Sequence, residues 1–211
     1  MKAVRFSRFG GPEVLEIADL PDPHPGPGQV RIAVRAAGVN PKDWKKRKGL
    51  MDRQLPQALG HEAAGVVDEL GEGVADVAVG DRVFGFSAGG AAQAELAVLS
   101  FYAPIPPLPD FPAAAALPAA IETATRALGQ LGIGIGIGSG GTLLISGASG
   151  RAVHALAEIG ELIESGRFSL PVAQAFPLAR VAEAHRVSED GQVRGKLVLV
   201  VGSPEDPGAT L

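Results

Sequence analysis

The chain has 211 residues, is 46% hydrophobic, carries a formal net charge of −4 and contains no cysteine. That charge gives no reason to expect nucleic acid, and the missing thiols exclude disulfides and thiolate zinc sites. No apolar run approaches the ~20 residues of a membrane span, and Met1 to Phe9 carry no signal-peptide core, so the expectation is a soluble cytoplasmic protein of one domain, or a domain and a fragment.

The first hundred residues read as short strands separated by turns. "KAVRF" (2–6) is the first strand candidate, and the Pro/Gly connector "PDPHPGPGQ" (21–29) suits neither helix nor central strand. "QVRIAVRAAGV" (29–39) alternates: Val30, Ile32, Val34 and Ala36 share one face, while Arg31, Ala33 and Arg35 take the other. Between these and the next strands lies "KKRK" (45–48), read as a solvated loop. "EAAGVVDEL" (62–70), "GDRVFGF" (80–86) and "AAQAELAVL" (91–99) follow, each bounded by Gly, Pro or Asp. Several short strands at close spacing argue for a barrel-like β domain.

Beyond "PIPPLPDFP" the period changes. Leu117, Ile121, Ala124, Leu128 and Leu131 recur at steps of four and three, which predicts an amphipathic helix. "GIGIGIGSGG" (132–141) is a flexible linker, because ordering so many glycines costs entropy. Thr142 to Ile145 form a short apolar strand, "SGASG" (146–150) a tight turn, and Leu156, Ile159 and Ile163 mark a second helix. The chain closes with a helix in "PLARVAEAHRVSE" (177–189), a strand in "GKLVLVV" (195–201) and the frayed tail 202–211. From Thr142 to Arg167 there are 26 residues. A doubly wound dinucleotide sheet needs well over ~100, so that stretch holds one strand–turn–helix unit and no parallel sheet.

"GVNPKDWKKRKG" and "LGHEAAGVVDELGEGVADVAVGDRVFGF" resemble the signatures of the medium-chain dehydrogenase/reductase superfamily. "GVNP-x-D" without zinc cysteines is similar to its quinone oxidoreductase branch. "ETATRAL", "TLLISGASG" and "EAHRVSEDGQVRGKLVLV" match later landmarks of that branch in order. The resemblance implies an α+β, mainly β protein: a GroES-like β-barrel catalytic domain built from both chain ends (1–125 and 168–201), with a truncated Rossmann remnant (126–167) between them. It also implies an NADPH-dependent reductase of quinones or enones, impaired in this chain by an internal deletion. Relatives dimerise along the sheet this chain lacks, so the expected homodimer is altered or strand-swapped. The alternatives are a non-catalytic GroES-like module and a zinc-dependent alcohol dehydrogenase; the latter fails on ligand count, and no metal site is expected.

By the same resemblance, the candidate catalytic residues are Asn40, Asp43, Lys45 and Thr123. Asn40 stands where zinc-dependent relatives carry a metal-binding cysteine, and an amide ligates zinc poorly. Lys45 stands where quinone reductases commonly have tyrosine, and a surface lysine is the plainer reading. Candidate cofactor residues are the turn Ser146, Gly147, Ala148, Ser149 and Gly150, whose backbone N–H groups suit a pyrophosphate, together with Lys196. The glycine expected three positions after Gly150 is Val153, which leaves the turn as half a site. His61 and Glu62 are read as a hydrogen-bonded pair supporting the barrel, and His185 as a satisfied histidine at the core edge.

Overall fold

The computed structural model describes residues 1–87, 89–107, 109–130 and 170–202. Among them are nine strands: β1 (Lys2–Phe6), β2 (Glu16–Asp19), β3 (Val30–Val39), β4 (Gln57–Ala58), β5 (Glu62–Leu70), β6 (Arg82–Ser87), β7 (Leu96–Pro104), β8 (Val172–Pro177) and β9 (Lys196–Val200). The described α-helices are α1 (Pro41–Arg47), α2 (Phe111–Ala115), α3 (Leu117–Gln130) and α4 (Val181–Asp190).

β3 organises the molecule. Its alternation of apolar and polar residues is the burial pattern observed, with Val30, Ile32, Val34 and Ala36 inside. One edge of β3 pairs with β5 along most of its length. The other edge is shared: Val30 to Ala33 pair with β7, and Ala36 to Val39 pair with β9. Since β5 also pairs with β6, and β6 with β7, the four strands β3, β5, β6 and β7 close into an antiparallel ring. Closure leaves no free edge within the ring. β9 and β8 extend the sheet from β3, and β8 runs parallel to β9. A smaller antiparallel sheet, in the order β2-β1-β4, lies beside it.

The ring interior is filled by Val30, Ile32, Val67, Val83 and Leu99. Alanines at 36, 64, 114 and 115 let α2 approach the ring closely, with Phe84, Phe111 and Ile121 packed among them. A third cluster, including Val4, Phe6, Leu59, Phe176 and Leu199, joins the small sheet to β8, β9 and α4.

The predicted strands at 2–6, 62–70, 80–86 and 195–201 are present, and so are the helices at 117 and 181. The strand expected over 91–99 begins at Leu96 and runs to Pro104. "KKRK" is a correction: residues 45–47 continue helix α1, and Arg47 is fully buried. The linker, the strand from Thr142, the turn 146–150, the helix through Leu156 and most of the tail lie outside the described residues.

Candidate functional site

β3 ends at Val39 and α1 begins at Pro41, so Asn40 occupies a strand-to-helix corner in extended conformation, φ −124° and ψ 154°. Proline at the first helical position suits this start, since its absent N–H would have no helical partner. Asp43 lies in the first turn, and its Oδ2 accepts a hydrogen bond from the Asn40 backbone N–H at 2.8 Å. The same oxygen accepts from Gln93 Nε2 at 3.3 Å.

Strand register brings two distant residues to that corner. Val39 pairs with Leu197, which sets Lys196 beside Asn40. Ala37 pairs with Ala63, which sets Glu62 alongside Gly38. Gly38 makes room: a Cβ on it would lie 2.7 Å from Glu62 Cγ and Cδ. The result is a ring of three side chains. Asn40 Nδ2 donates to Glu62 Oε1 at 2.8 Å, and Lys196 Nζ lies 2.7 Å from the same oxygen. Lys196 Nζ also donates to Asn40 Oδ1 at 2.6 Å. The second carboxylate oxygen, Glu62 Oε2, accepts from the backbone N–H of Ala119, in the first turn of α3, at 2.6 Å. Glu62 is fully buried, and the Lys196 side chain is 14% exposed.

Burial pushes the Asp43 carboxyl up to about 6, and the neighbouring Glu62 charge adds to the rise; the Asn40 N–H and the Lys196 and Lys46 ammonium groups oppose it. His61 follows Gly60, whose φ of +104° favours glycine. Its imidazole lies against Phe86 with ring centroids 5.2 Å apart. Its pKa is lowered, first by burial and then by Lys42, Lys46 and Lys196, against an upward pull from Glu62. Asp43, His61, Lys42 and Lys46 line a small cleft with Gly60 and Gly90.

The structure therefore gathers Asn40, Asp43 and Lys196 of the candidate residues. Thr123 is half-buried on α3, one turn after Ala119. Lys45 is exposed, with its ammonium 5.6 Å from the centroid of the Trp44 ring. The turn Ser146 to Gly150 lies outside the described residues. The expected His61–Glu62 pair is a correction: Glu62 directs its carboxylate to Lys196, Asn40 and Ala119. Three donors hold it there.

His185 is the other correction. It is fully buried, as expected, yet neither ring nitrogen has a hydrogen-bond partner among the described residues. Burial pushes its pKa down to about 3, with Arg47 adding to the effect. Gln93, which touches both Gly38 O and Asp43, was not legible in the sequence. It sits in an alanine-rich stretch with no distinguishing spacing.

Comparison with known proteins places the chain by family and fold. Residues 26–101 match the alcohol dehydrogenase GroES-like domain, and residues 135–199 match the family described as zinc-binding dehydrogenase. The quinone oxidoreductase of Rattus norvegicus is 39% identical over 164 residues, 75% of this chain and 49% of the rat protein. The chain thus spans about half the length of the curated relatives it matches. The quinone oxidoreductase from Coxiella burnetii superposes with a TM-score of 0.84 at 23% identity, covering 96% of this chain and 99% of that one. The Escherichia coli quinone oxidoreductase complexed with NADPH gives 0.73 at 20% identity, covering 95% of this chain and all of that one. At such identities the superpositions establish the fold.

Proposed function

The chain belongs to the medium-chain dehydrogenase/reductase superfamily, in its quinone oxidoreductase branch, and from that premise we propose that its site serves NADPH-dependent reduction of a quinone or enone. The observation that carries this reading is the Asn40–Glu62–Lys196 ring. Asn40 has two amide N–H groups and uses one on Glu62; Lys196 has three and uses two within the ring. Among the described residues one donor from each has no partner, and on this reading it serves a substrate oxygen or a coenzyme. Donors held rigidly beside an oxygen that gains negative charge lower the barrier, because they need no reorganisation at the moment of reaction.

NADPH, when bound, supplies the reducing equivalents. The residues that would hold it are Lys196 and the Ser146 to Gly150 turn, with Thr123 alongside. The fit is partial. Lys196 is already committed to Glu62 and Asn40, so it offers a single hydrogen-bond donor instead of a free charge. The donor set supports zinc-independent chemistry: the chain has no cysteine, an amide stands at residue 40, and Glu62 has both oxygens engaged. The protein is taken as cytoplasmic and homodimeric, with the dimer altered or strand-swapped; no described helix is long and apolar enough to cross a membrane.

The 26 residues from Thr142 to Arg167 are far fewer than a doubly wound sheet needs, which argues for impaired coenzyme binding. The second reading, a GroES-like module without catalysis, is supported by the match of residues 26–101 to the GroES-like domain. Titrating NADPH fluorescence with the protein separates the two. The expected result is saturable binding weaker than that of the full-length rat relative measured alongside. Binding as tight as the relative's contradicts the impairment, and no binding at any accessible concentration favours the module.

A further inference from the structure

Among the described residues, Glu62 bonds three separate segments of the site, and each partner is a donor to it. Asn40 comes from the β3–α1 corner, Lys196 from the start of β9, and Ala119 from the start of α3, the helix that carries Thr123. A carboxylate accepts on both oxygens and so serves all three at once. A glutamine would present one acceptor and one NH2, setting donor against donor on one side. An aspartate is a methylene shorter and falls short of one side or the other. Gly38 is the necessary complement, since a Cβ there intrudes on Glu62 Cγ and Cδ at 2.7 Å.

We propose that Glu62 is the positioning residue of the site: its buried carboxylate fixes the orientation of the Asn40 amide and holds the Lys196 ammonium against it. Without Glu62 the Asn40 Nδ2 loses its acceptor, and the amide keeps only the contact of its Oδ1 with Lys196. The chemical importance of the amide's orientation rests on the reductase reading. The orientation itself does not, and it is measurable without coenzyme or turnover.

The test is the ¹⁵N–¹H spectrum of side-chain amides in the full chain at pH 8, with the Asn40 pair assigned by its loss in Asn40→Ser. In the parent protein the two Nδ2 protons are expected to be well separated in shift, and the bonded one protected from exchange. In Glu62→Met, which keeps the length and offers no acceptor, the pair collapses toward the pattern of an exposed asparagine, with exchange about tenfold faster or more, as expected for loss of a hydrogen bond to a charged group. Gly38→Ala, which displaces Glu62 while keeping its charge, gives the same collapse. Lys196→Met leaves Glu62 on Asn40, so protection survives. A purely structural Glu62 that only anchors α3 through Ala119 lowers the melting temperature but leaves the Asn40 pair unchanged in Glu62→Met, and that result overturns the proposal. Collapse in Lys196→Met equal to that in Glu62→Met also overturns it, by assigning the orientation to the lysine. Should Glu62→Met fail to fold, Gly38→Ala and Lys196→Met still decide the matter.

Discussion

Asp43 and His185 are both buried ionisable groups, and their shifts act on stability with opposite sign. Asp43 titrates near 6 in the fold because burial disfavours its charge, against about 3.9 in an unfolded chain. Its contribution is present in full below the unfolded value and is lost as pH rises through about 6. Asp43→Asn removes the buried charge while keeping an acceptor for the Asn40 N–H. The variant is expected to be more stable than the parent at pH 8 by on the order of 2–3 kcal/mol, with the gap closing toward pH 4; urea unfolding across that range measures it. His185 behaves in reverse, since its folded value is depressed to about 3. Its contribution is present above the ordinary histidine value and is lost as pH falls from about 6.5 toward 3. His185→Phe replaces two unpaired ring nitrogens with carbon, and the acid limb of the stability curve below pH 6.5 is expected to flatten. An unchanged limb in acid unfolding would place the sensitivity elsewhere.

At the scale of elements, the departures from the sequence reading have physical causes. Helix α1 was hidden by its charges: four consecutive basic residues suggest solvent, yet Arg47 turns inward to donate to Gly10 O at 2.6 Å and pair with Glu189 of α4. The start signal was present in Asn40, Pro41 and Asp43, the capping pattern that opens a helix. Strands β2 and β4 are too short for any periodicity to register. β8 was missed because "VAQAFP" lacks alternation, and its parallel pairing to β9 is a tertiary matter. Glu62 could be placed at the mouth of a strand from its motif, but its partners depend on the register of β3 with β5 and β9, which the sequence does not state. The α1–α4 tie can be broken from one side. Glu189→Gln removes the carboxylate paired with the fully buried Arg47 and leaves it only the attraction of Glu13 among the described acidic groups that act on it, and thermal or urea unfolding is expected to show a loss of about 3 kcal/mol. A loss below about 1 kcal/mol would mean that the pair behaves as a surface ion pair.

Across the whole molecule, one strand joins the two ends of the chain. β3 gives half of an edge to β7 and the other half to β9, so residues separated by 156 positions meet at Asn40 and Lys196. The ring they form with Glu62 is complete within the described residues, whereas the stretch expected to cradle a dinucleotide is short. On the proposed reading, with coenzyme binding impaired, turnover should be slow and should depend on the Asn40 and Lys196 donors. The direct measurement is quinone-dependent oxidation of NADPH by the parent chain and by Asn40→Ala. The account predicts a rate below that of a full-length relative in the parent, and a further fall of about tenfold or more in the variant, the usual cost of removing one oxyanion donor being larger still. Equal rates in the two proteins, or no rate in the parent, would contradict it.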